Sequence, residues 1–200
     1  MSSKPKFAMY WAAACGGCEI SLLNIHAKIL DLAKGFDIVF WPCIMDGKKQ
    51  DLETLLDEAI TITLFNGAIR TDENEEMAHL LRAKSRTLVA YGSCACEGCI
   101  PGLSNLFTAR DHFRTMYQDN PSTDNPDAIV PACRTTVPEG DITLPAFHDR
   151  VRSLGQTVAV DSFVPGCPPE GDQVEAVIDT ILGKGASARL PPSSTYRMRW

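Results

Sequence analysis

Five short apolar runs, separated by helical patterns, restrict the fold of this chain more than any other feature of its sequence. Strands that alternate with helices along a chain usually form a parallel sheet with helices packed on both faces. We therefore expect an α/β fold of the flavodoxin-like, doubly wound type. The predicted strands are residues 6–12, 36–41, 59–65, 87–92 and 157–164.

Helical patterns fill the intervals between the predicted strands. Their apolar residues recur at spacings of three and four, which is typical of amphipathic helices. In the third pattern, Asp72 and Glu75 have the spacing of a capping box, and acidic residues crowd the first turn. The predicted helices are residues 19–32, residues 52–59, a segment that opens at residue 71, and residues 172–182.

Two segments depart from this alternation. Residues 111–147 carry five prolines and little periodicity, and a loop of this length in a compact domain is usually functional or covers a partner. Residues 184–200 contain basic but no acidic side chains. We expect one domain over residues 1–183 and an extended basic tail over residues 184–200 that either is disordered or lies along another subunit.

The composition argues against several classes of protein. The net charge of −6 disfavours a nucleic-acid-binding surface. No apolar run approaches the roughly 18 residues that suggest a membrane-spanning helix. The residues before the first strand resemble neither a signal peptide nor a twin-arginine leader, so we expect a cytoplasmic protein. The sequence has no GxGxxG or P-loop pattern, and we expect no nucleotide site.

Three of the predicted strands end in a glycine-rich turn that carries cysteine. Cys15 and Cys18 follow the first strand and are separated by two glycines. Cys94 follows the fourth strand, with further cysteines at 96 and 99, and Cys167 follows the fifth. Parallel strands present their carboxyl ends at one edge of the sheet, where ligands bind. Cys15, Cys18, one cysteine of the 94–99 group and Cys167 can therefore supply four thiolates.

Four converging thiolates are the usual ligands of a [4Fe–4S] cluster, but two other uses of the cysteines stay open. A structural zinc ion also takes four thiolates, although its ligands usually come as two short cysteine pairs. A thioredoxin-like dithiol at Cys15 and Cys18 fits the preceding strand and Trp11 but leaves Cys94 and Cys167 without a role. The spread of the cysteines over three loops favours the iron–sulfur cluster.

Four motifs resemble those of the small, electron-transferring subunits of [NiFe] hydrogenases, and they occur in the order typical of that family. The resemblance is closest to the cytoplasmic F420-non-reducing (methyl-viologen-reducing) group and extends more distantly to the 20-kDa iron–sulfur subunit of complex I. It implies that Cys15, Cys18, Cys94 and Cys167 bind one proximal [4Fe–4S] cluster in the domain of residues 1–183. The motifs are CGGCEISLL at 15–23, GSCAC at 92–96, IPGLSNL at 100–106 and PGCPP at 165–169.

The same resemblance implies a function and partners. The chain would take electrons from hydrogen oxidation at a nickel–iron site on a separate large subunit. It would pass them to a further subunit with iron–sulfur clusters or a flavin. Relatives often continue past residues 190–192 into a cysteine-rich segment, which this sequence lacks, so we expect the electron exit on another polypeptide. The alternatives are a complex-I-like iron–sulfur module that does not act on hydrogen, and a zinc-stabilised scaffold.

The sequence departs from the family pattern at two further places. Cys99 stands where the family often has glycine and where oxygen-tolerant hydrogenases carry an extra cysteine. The second extra cysteine of those enzymes corresponds to Gly17 here, so we do not expect their modified cluster. Asn66 stands where relatives commonly have glutamate, and any contact of that carboxylate with the large subunit cannot be carried over.

Other candidate residues have simpler interpretations. Glu19 follows a proposed ligand and is a possible proton relay, but a carboxylate at a helix N-terminus is also stabilised by the helix dipole. Cys43 and Cys133 are expected to be buried small hydrophobic residues or idle thiols. Cys96 is expected either to face the cluster sulfurs or to pack. Four histidines show no ligand spacing and are expected to be surface or core residues: His26, His79, His112 and His148.

Overall fold

Strands and helices alternate along most of the chain in the computed structural model, which describes residues 4–183. The strands are β1 (Lys6–Trp11), β2 (Asp37–Phe40), β3 (Ile60–Asn66), β4 (Ile69–Thr71), β5 (Ser85–Tyr91), β6 (Arg134–Val137), β7 (Gly140–Thr143), β8 (Phe147–Arg152) and β9 (Ser162–Val164). The α-helices are α1 (Gly17–Leu23), α2 (Ile29–Gly35), α3 (Lys49–Glu53), α4 (Asp72–Lys84), α5 (Ser93–Glu97), α6 (Cys99–Gly102), α7 (Ala109–Tyr117) and α8 (Gly171–Ile181). Short 3-10 turns cover His26–Lys28, Leu103–Leu106 and Leu154–Gln156.

Five strands form one parallel sheet in the order β2-β1-β3-β5-β9. Counting these five alone in chain order, the arrangement is 2-1-3-4-5, which is the flavodoxin-like order. The predicted doubly wound α/β fold is thereby confirmed. Each of the five predicted apolar runs contains one strand of this sheet or overlaps it, because strands covered on both faces read as continuous apolar runs.

The sheet separates two apolar clusters, one on each face. The first cluster receives side chains from α1, α2 and α8, and the second receives side chains from α3, α4 and α5, so helices cover both faces as predicted. Alternate residues of a strand point to opposite faces, and Leu64 and Phe65 of β3 accordingly lie in different clusters. Fully buried members of the first cluster include Phe7, Met9, Leu22, Trp41 and Ile178, and those of the second include Phe65, Leu81 and Leu88.

Two predicted helices are wrong in extent. The helix predicted over residues 19–32 is broken, because the backbone at His26 adopts a positive φ of 55° and cannot continue a right-handed helix. The break lets Leu22 and Leu32 reach the same apolar cluster from two differently directed helices. The helix predicted over residues 52–59 ends at Glu53, and Leu56 is 82% exposed because the chain turns there towards β3.

The capping box of α4 is shifted by one residue from the predicted pair. Thr71 is the N-cap, and its hydroxyl accepts a hydrogen bond from the Asn74 amide at 3.2 Å. The Asn74 side chain accepts one from the Thr71 amide at 3.3 Å in return. Asp72 instead accepts from the Ala146 amide at 3.0 Å, and Glu75 pairs with Arg152. The acidic residues in the first turn of α4 led to the prediction of the wrong capping pair.

The prediction of a loop over residues 111–147 is also wrong for much of its length. A capping box at Thr108 and Asp111 starts α7, and β6 and β7 form an antiparallel hairpin. β8 then pairs antiparallel with β4. Residues 118–133 contain no helix or strand.

The predicted basic tail over residues 184–200 lies outside the described residues. Within residues 4–183, none of the helices has both the length and the apolar character needed to cross a lipid bilayer.

Candidate metal centre

Three loops at the carboxyl ends of β1, β5 and β9 bring Cys15, Cys18, Cys94 and Cys167 together. Cys94, Cys15 and Cys167 each lie close enough to Cys18 for their charges to raise the pKa of its thiol. Cys167 and Cys15 act on Cys94 in the same way. The sequence-based expectation that these loops meet at one edge of the sheet therefore agrees with the structure.

The first loop turns sharply at Gly16 between the two cysteines. Gly16 has a φ of 84°, and its backbone rests on the Trp11 ring, which lies 3.2 Å from the position that a Cβ would take. A residue with a side chain would be strained here. The Gly17 amide donates a hydrogen bond to Cys15 Sγ at 3.4 Å. The loop thus presents a backbone donor to one of the sulfurs.

The second loop approaches Cys18 so closely that only glycine fits at its start. Gly92 has a φ of 85°, and a Cβ at this position would collide with Cys18 Sγ. The missing side chain leaves the room in which the Cys18 thiol sits. Gly92, two residues before Cys94, therefore makes room for a cysteine on a different loop.

Backbone hydrogen bonds tie the second loop to the third. The Gly92 amide donates to the Val164 carbonyl, and the Ser93 amide donates to the Gly166 carbonyl, both at 2.8 Å. The Gly166 amide donates to the Ser93 hydroxyl at 3.1 Å. Cys94 and Cys167 follow these linked residues directly. The relative placement of Cys94 and Cys167 is consequently set by hydrogen bonds within the chain.

The four thiols divide into a buried pair and an exposed pair. Cys18 and Cys94 are each 6% exposed, whereas Cys15 and Cys167 are exposed. Burial raises the pKa of both Cys18 and Cys94 to about 12, and the neighbouring cysteines add to this effect. Thiolates at the buried positions therefore require a compensating positive charge, which a bound metal supplies. The site is open on one side.

The arrangement is compatible with a polynuclear cluster. Among residues 4–183, no set of three or more histidine, cysteine or acidic side chains is placed to hold one metal ion. A [4Fe–4S] cluster is bound by one thiolate at each iron, so its ligands surround a larger object than a zinc ion. The amide donor at Cys15 is consistent with such a group.

Cys99 is a fifth thiol at this site. Its half-buried side chain lies beside both Cys167 and Cys94 and raises the pKa of each thiol. Its own backbone has a φ of 39°, which is unusual for a residue other than glycine. Sequence reasoning noted this cysteine but could not place it.

The remaining three cysteines differ in their distance from the site. Cys96 is buried in the second apolar cluster and donates a hydrogen bond from Sγ to the Ala90 carbonyl at 3.4 Å, and it lies close enough to Cys18 and Cys94 for their charges to raise the pKa of its thiol. Cys43 and Cys133 are both exposed. Of the two alternatives expected for them, burial is wrong, whereas idle thiols agree with the structure, since neither cysteine interacts with the four converging thiols.

Glu19 is directed into the protein interior. Its side chain is 4% exposed, and Oε2 accepts a hydrogen bond from the Trp41 indole at 2.5 Å. Oε1 has no protein hydrogen-bond partner in the described part of the chain. Burial raises the pKa of Glu19 to about 7, although the Trp41 hydrogen bond acts in the opposite direction. Its role as a proton relay stays a prediction.

Asn66 is a buried residue of the site that sequence reasoning did not place, because it was noted only as a departure from the family's glutamate. The side chain is fully buried at the end of β3, and Oδ1 lies 3.7 Å from the position of a Cβ at Gly92. A polar residue that ends an apolar strand between two cysteine-bearing strands is the signal that could have indicated this placement.

Comparison with known proteins gives one family and several relatives. The family described as "NADH ubiquinone oxidoreductase, 20 Kd subunit" matches residues 15–181. The iron-sulfur subunit of the F420-non-reducing hydrogenase of Archaeoglobus profundus is 35% identical over 96% of this chain and 59% of its own length. The delta subunit of the NAD-reducing hydrogenase HoxS of Cupriavidus necator is 28% identical over 95% of this chain and 84% of its own length.

The chain also resembles a solved structure over nearly its whole length. A chain of an NAD+-reducing [NiFe]-hydrogenase, determined in the H2-reduced state, superimposes with a TM-score of 0.78 at 26% identity. The match covers 94% of this chain and 96% of that chain. In contrast, this chain spans about three fifths of the length of the F420-non-reducing relatives.

Proposed function

Because this chain belongs to the family of the NADH ubiquinone oxidoreductase 20 Kd subunit, we propose that it is the electron-transferring small subunit of a [NiFe] hydrogenase. It carries the proximal [4Fe–4S] cluster, takes electrons from hydrogen oxidation on a separate large subunit and passes them to a further redox subunit. The nickel–iron site is on the large subunit. The cytoplasmic location expected from the sequence belongs to this proposal.

The convergence of four cysteines on three loops is the observation that carries the proposal. Cys15, Cys18, Cys94 and Cys167 would hold the cluster, which supplies one-electron transfer when bound. The loops keep the buried pair of thiols away from water and leave the exposed pair facing outward. The near-complete match to a chain of an NAD+-reducing [NiFe]-hydrogenase supports this function over a zinc-stabilised scaffold.

Exposed apolar side chains around the open side support a large partner. Ile20 and Ile100 lie beside cysteines and are 59% and 65% exposed. Leu106 and Phe107 follow Ile100 by one to two turns along the chain and are also exposed. Adjacent exposed apolar residues commonly mark a protein interface. A large subunit that covers them would also cover the exposed pair of thiols.

The proposed electron acceptor is a third subunit with iron–sulfur clusters or a flavin. Once four cysteines hold the proximal cluster, the four that remain in the described chain form no second ligand motif, because Cys43 and Cys133 lie far from Cys96 and Cys99 in sequence. We propose that residues 184–200 contribute to binding this acceptor.

The test is an anaerobic purification of the chain together with its co-eluting subunits. We expect about four iron and four sulfide per chain from the cluster formula, nickel on the large subunit, and hydrogen-dependent reduction of a dye. Stoichiometric zinc without iron would contradict the cluster and leave the scaffold as the better interpretation.

The family name itself favours one alternative, a complex-I-like electron-transfer module that does not act on hydrogen. In that case the same preparation would contain iron and sulfide but neither nickel nor hydrogen-dependent dye reduction. The ligand cysteines would be the same, so only the partner's metal and activity separate the two functions.

A further inference from the structure

The side chain of Asn66 is a buried amide without a protein partner. It is fully buried, and neither Oδ1 nor Nδ2 has a hydrogen-bond partner within the described residues. Buried amides are nearly always hydrogen-bonded, because an unpaired group has lost its contacts with water and gained nothing in exchange. A hydrogen-bond partner on a bound group would satisfy this buried amide.

The position of Asn66 in the sheet directs its side chain towards the cysteine loops. It is the last residue of β3 and stands in register with Trp11 of β1 and Tyr91 of β5. It shares a face with Leu64, and that face carries the apolar cluster to which Cys18 belongs. Its Oδ1 and Cys18 Sγ both lie against the position that a Cβ would occupy at Gly92.

The polar groups nearest to this face already have partners, with one exception. The Tyr91 hydroxyl is hydrogen-bonded to Ser21 at 3.1 Å, and Glu19 Oε2 is bound by Trp41. Glu19 Oε1 is the exception, and a contact between it and Asn66 is the competing explanation. Variants of Asn66 separate the two.

We propose that the Asn66 side chain donates a hydrogen bond to a sulfur of the bound cluster or of Cys18, and thereby raises the reduction potential of the cluster. The inference rests on the proposed function. Added electron density on a cluster is shared by its sulfurs, so an N–H donor stabilises the reduced form more than the oxidised form. Asn66 therefore tunes the potential without being a ligand.

Two variants of Asn66 test this in the anaerobically purified complex. Asn66→Leu keeps the size of the side chain but removes the donor, and Asn66→Asp keeps its shape but adds a negative charge. Potentiometric titration followed by EPR of the reduced cluster should give the highest potential for wild type, a lower one for Asn66→Leu and the lowest for Asn66→Asp. We expect Asn66→Leu to lower the reduction equilibrium constant about tenfold, which is about 59 mV for one electron.

Thr63→Val is the matched control on the same strand. Thr63 is fully buried, faces the opposite side of the sheet and hydrogen-bonds the Ser85 hydroxyl at 2.6 Å. Its loss should disturb β3 without changing the potential. An unchanged potential in Asn66→Leu, with the cluster intact, would mean that Asn66 pairs with Glu19 or is merely structural, and it would overturn the inference.

A second measurement on wild-type protein is independent of whether the variants bind a cluster. Asparagine labelled with ¹⁵N in the side chain should give a coupling to the reduced cluster in pulsed EPR, because the proposed hydrogen bond has the amide rotated so that Nδ2, and not Oδ1, faces a sulfur. Absence of this coupling overturns the inference and leaves the proposed function intact. Wild-type protein without iron and sulfide would overturn the proposed function and this inference with it.

Discussion

The cysteine-bearing edge of the sheet and the appended segment of residues 109–152 are built in opposite ways. At the edge, backbone hydrogen bonds of 2.7–3.1 Å join four different loops, and Gly92 leaves space for a sulfur. In the appended segment, strands β6 and β7 pair only with each other, and nearly all their residues are exposed. The edge depends on contacts between residues far apart in sequence, whereas the hairpin depends on contacts between neighbours.

The appended segment is attached to the rest of the molecule by the pairing of β8 with β4 and by a small number of side chains. The Arg70 guanidinium lies 4.8 Å from the centre of the Phe147 ring. The Asn105 side chain bonds the backbone of Val151 at 2.7 and 2.9 Å. Arg152 pairs with Glu75 on α4 at 2.7 Å. We therefore expect substitutions in this segment to have much smaller consequences than those at the edge.

The largest difference is expected between Cys94→Ser and Cys133→Ser. Cys94 lies among the converging thiols, while Cys133 is exposed next to the hairpin. We expect Cys94→Ser to lose most of its iron and sulfide and the EPR signal of the reduced cluster, and Cys133→Ser to keep them. Cys167→Ser should behave like Cys94→Ser, and Cys43→Ser like Cys133→Ser. Equal loss in all four variants would contradict the assigned ligands.

A pair of glycine substitutions measures the same contrast without removing a thiol. Both Gly92 and Gly140 have a positive φ, but a Cβ at Gly140 would meet nothing within 4 Å, whereas at Gly92 it meets Cys18 Sγ. Gly140→Ala should lower the free energy of unfolding by about 1 kcal/mol through backbone strain. Gly92→Ala adds overpacking and should cost about 2–4 kcal/mol. Chemical denaturation of the apo chain measures both, and similar losses would contradict this account.

The smallest effect is expected at Glu75, where α4 contacts the appended segment through Arg152. The hydrogen bond from Arg152 lowers the pKa of Glu75 below its ordinary value of 4.5. A carboxyl whose pKa is lower in the folded state stabilises the fold above the unfolded value, and this contribution is lost as pH falls through the folded pKa. Glu75 is partly exposed, so the contribution is at most about 0.5 kcal/mol.

The comparison of wild type with Glu75→Gln checks this contribution. The two free energies of unfolding should differ at pH 7 and converge as the pH falls below 4.5. A difference that grows on acidification would have the wrong sign for this ion pair.

The contrast between the regions also explains which elements could be predicted. The central strands of the parallel sheet are largely buried on both faces, and their apolar runs, such as Ile60–Asn66, are therefore visible in the sequence. Strand β6 has the polar sequence RTTV and is mostly exposed, so no burial pattern marks it. The break at His26 was equally invisible, because the apolar positions on its two sides continue one helical pattern.

For the candidate site, the sequence predicted only which loops come together. The positions of cysteines after strands indicated which loops meet, since parallel topology brings their ends to one edge. The lack of room for a side chain at Gly92 and the burial of the Asn66 amide depend on the distances between three strands and a helix. The placement of Cys99 depends on the single turn at Gly98, with a φ of 90°. Such details arise from packing between distant residues, which local patterns do not encode.

The hydrogen bonds between Ser93 and Gly166 have a consequence for the thermodynamics of cofactor loading. They form among protein atoms alone, so the conformational entropy of these two loops is lost when the chain folds. The cofactor then meets a preorganised receptor, and ordering of these loops does not weaken its affinity. Small zinc domains behave differently, because metal binding supplies the free energy that folds them. In this chain, folding prepares the site, and a large part of the fold should therefore survive removal of iron by a chelator.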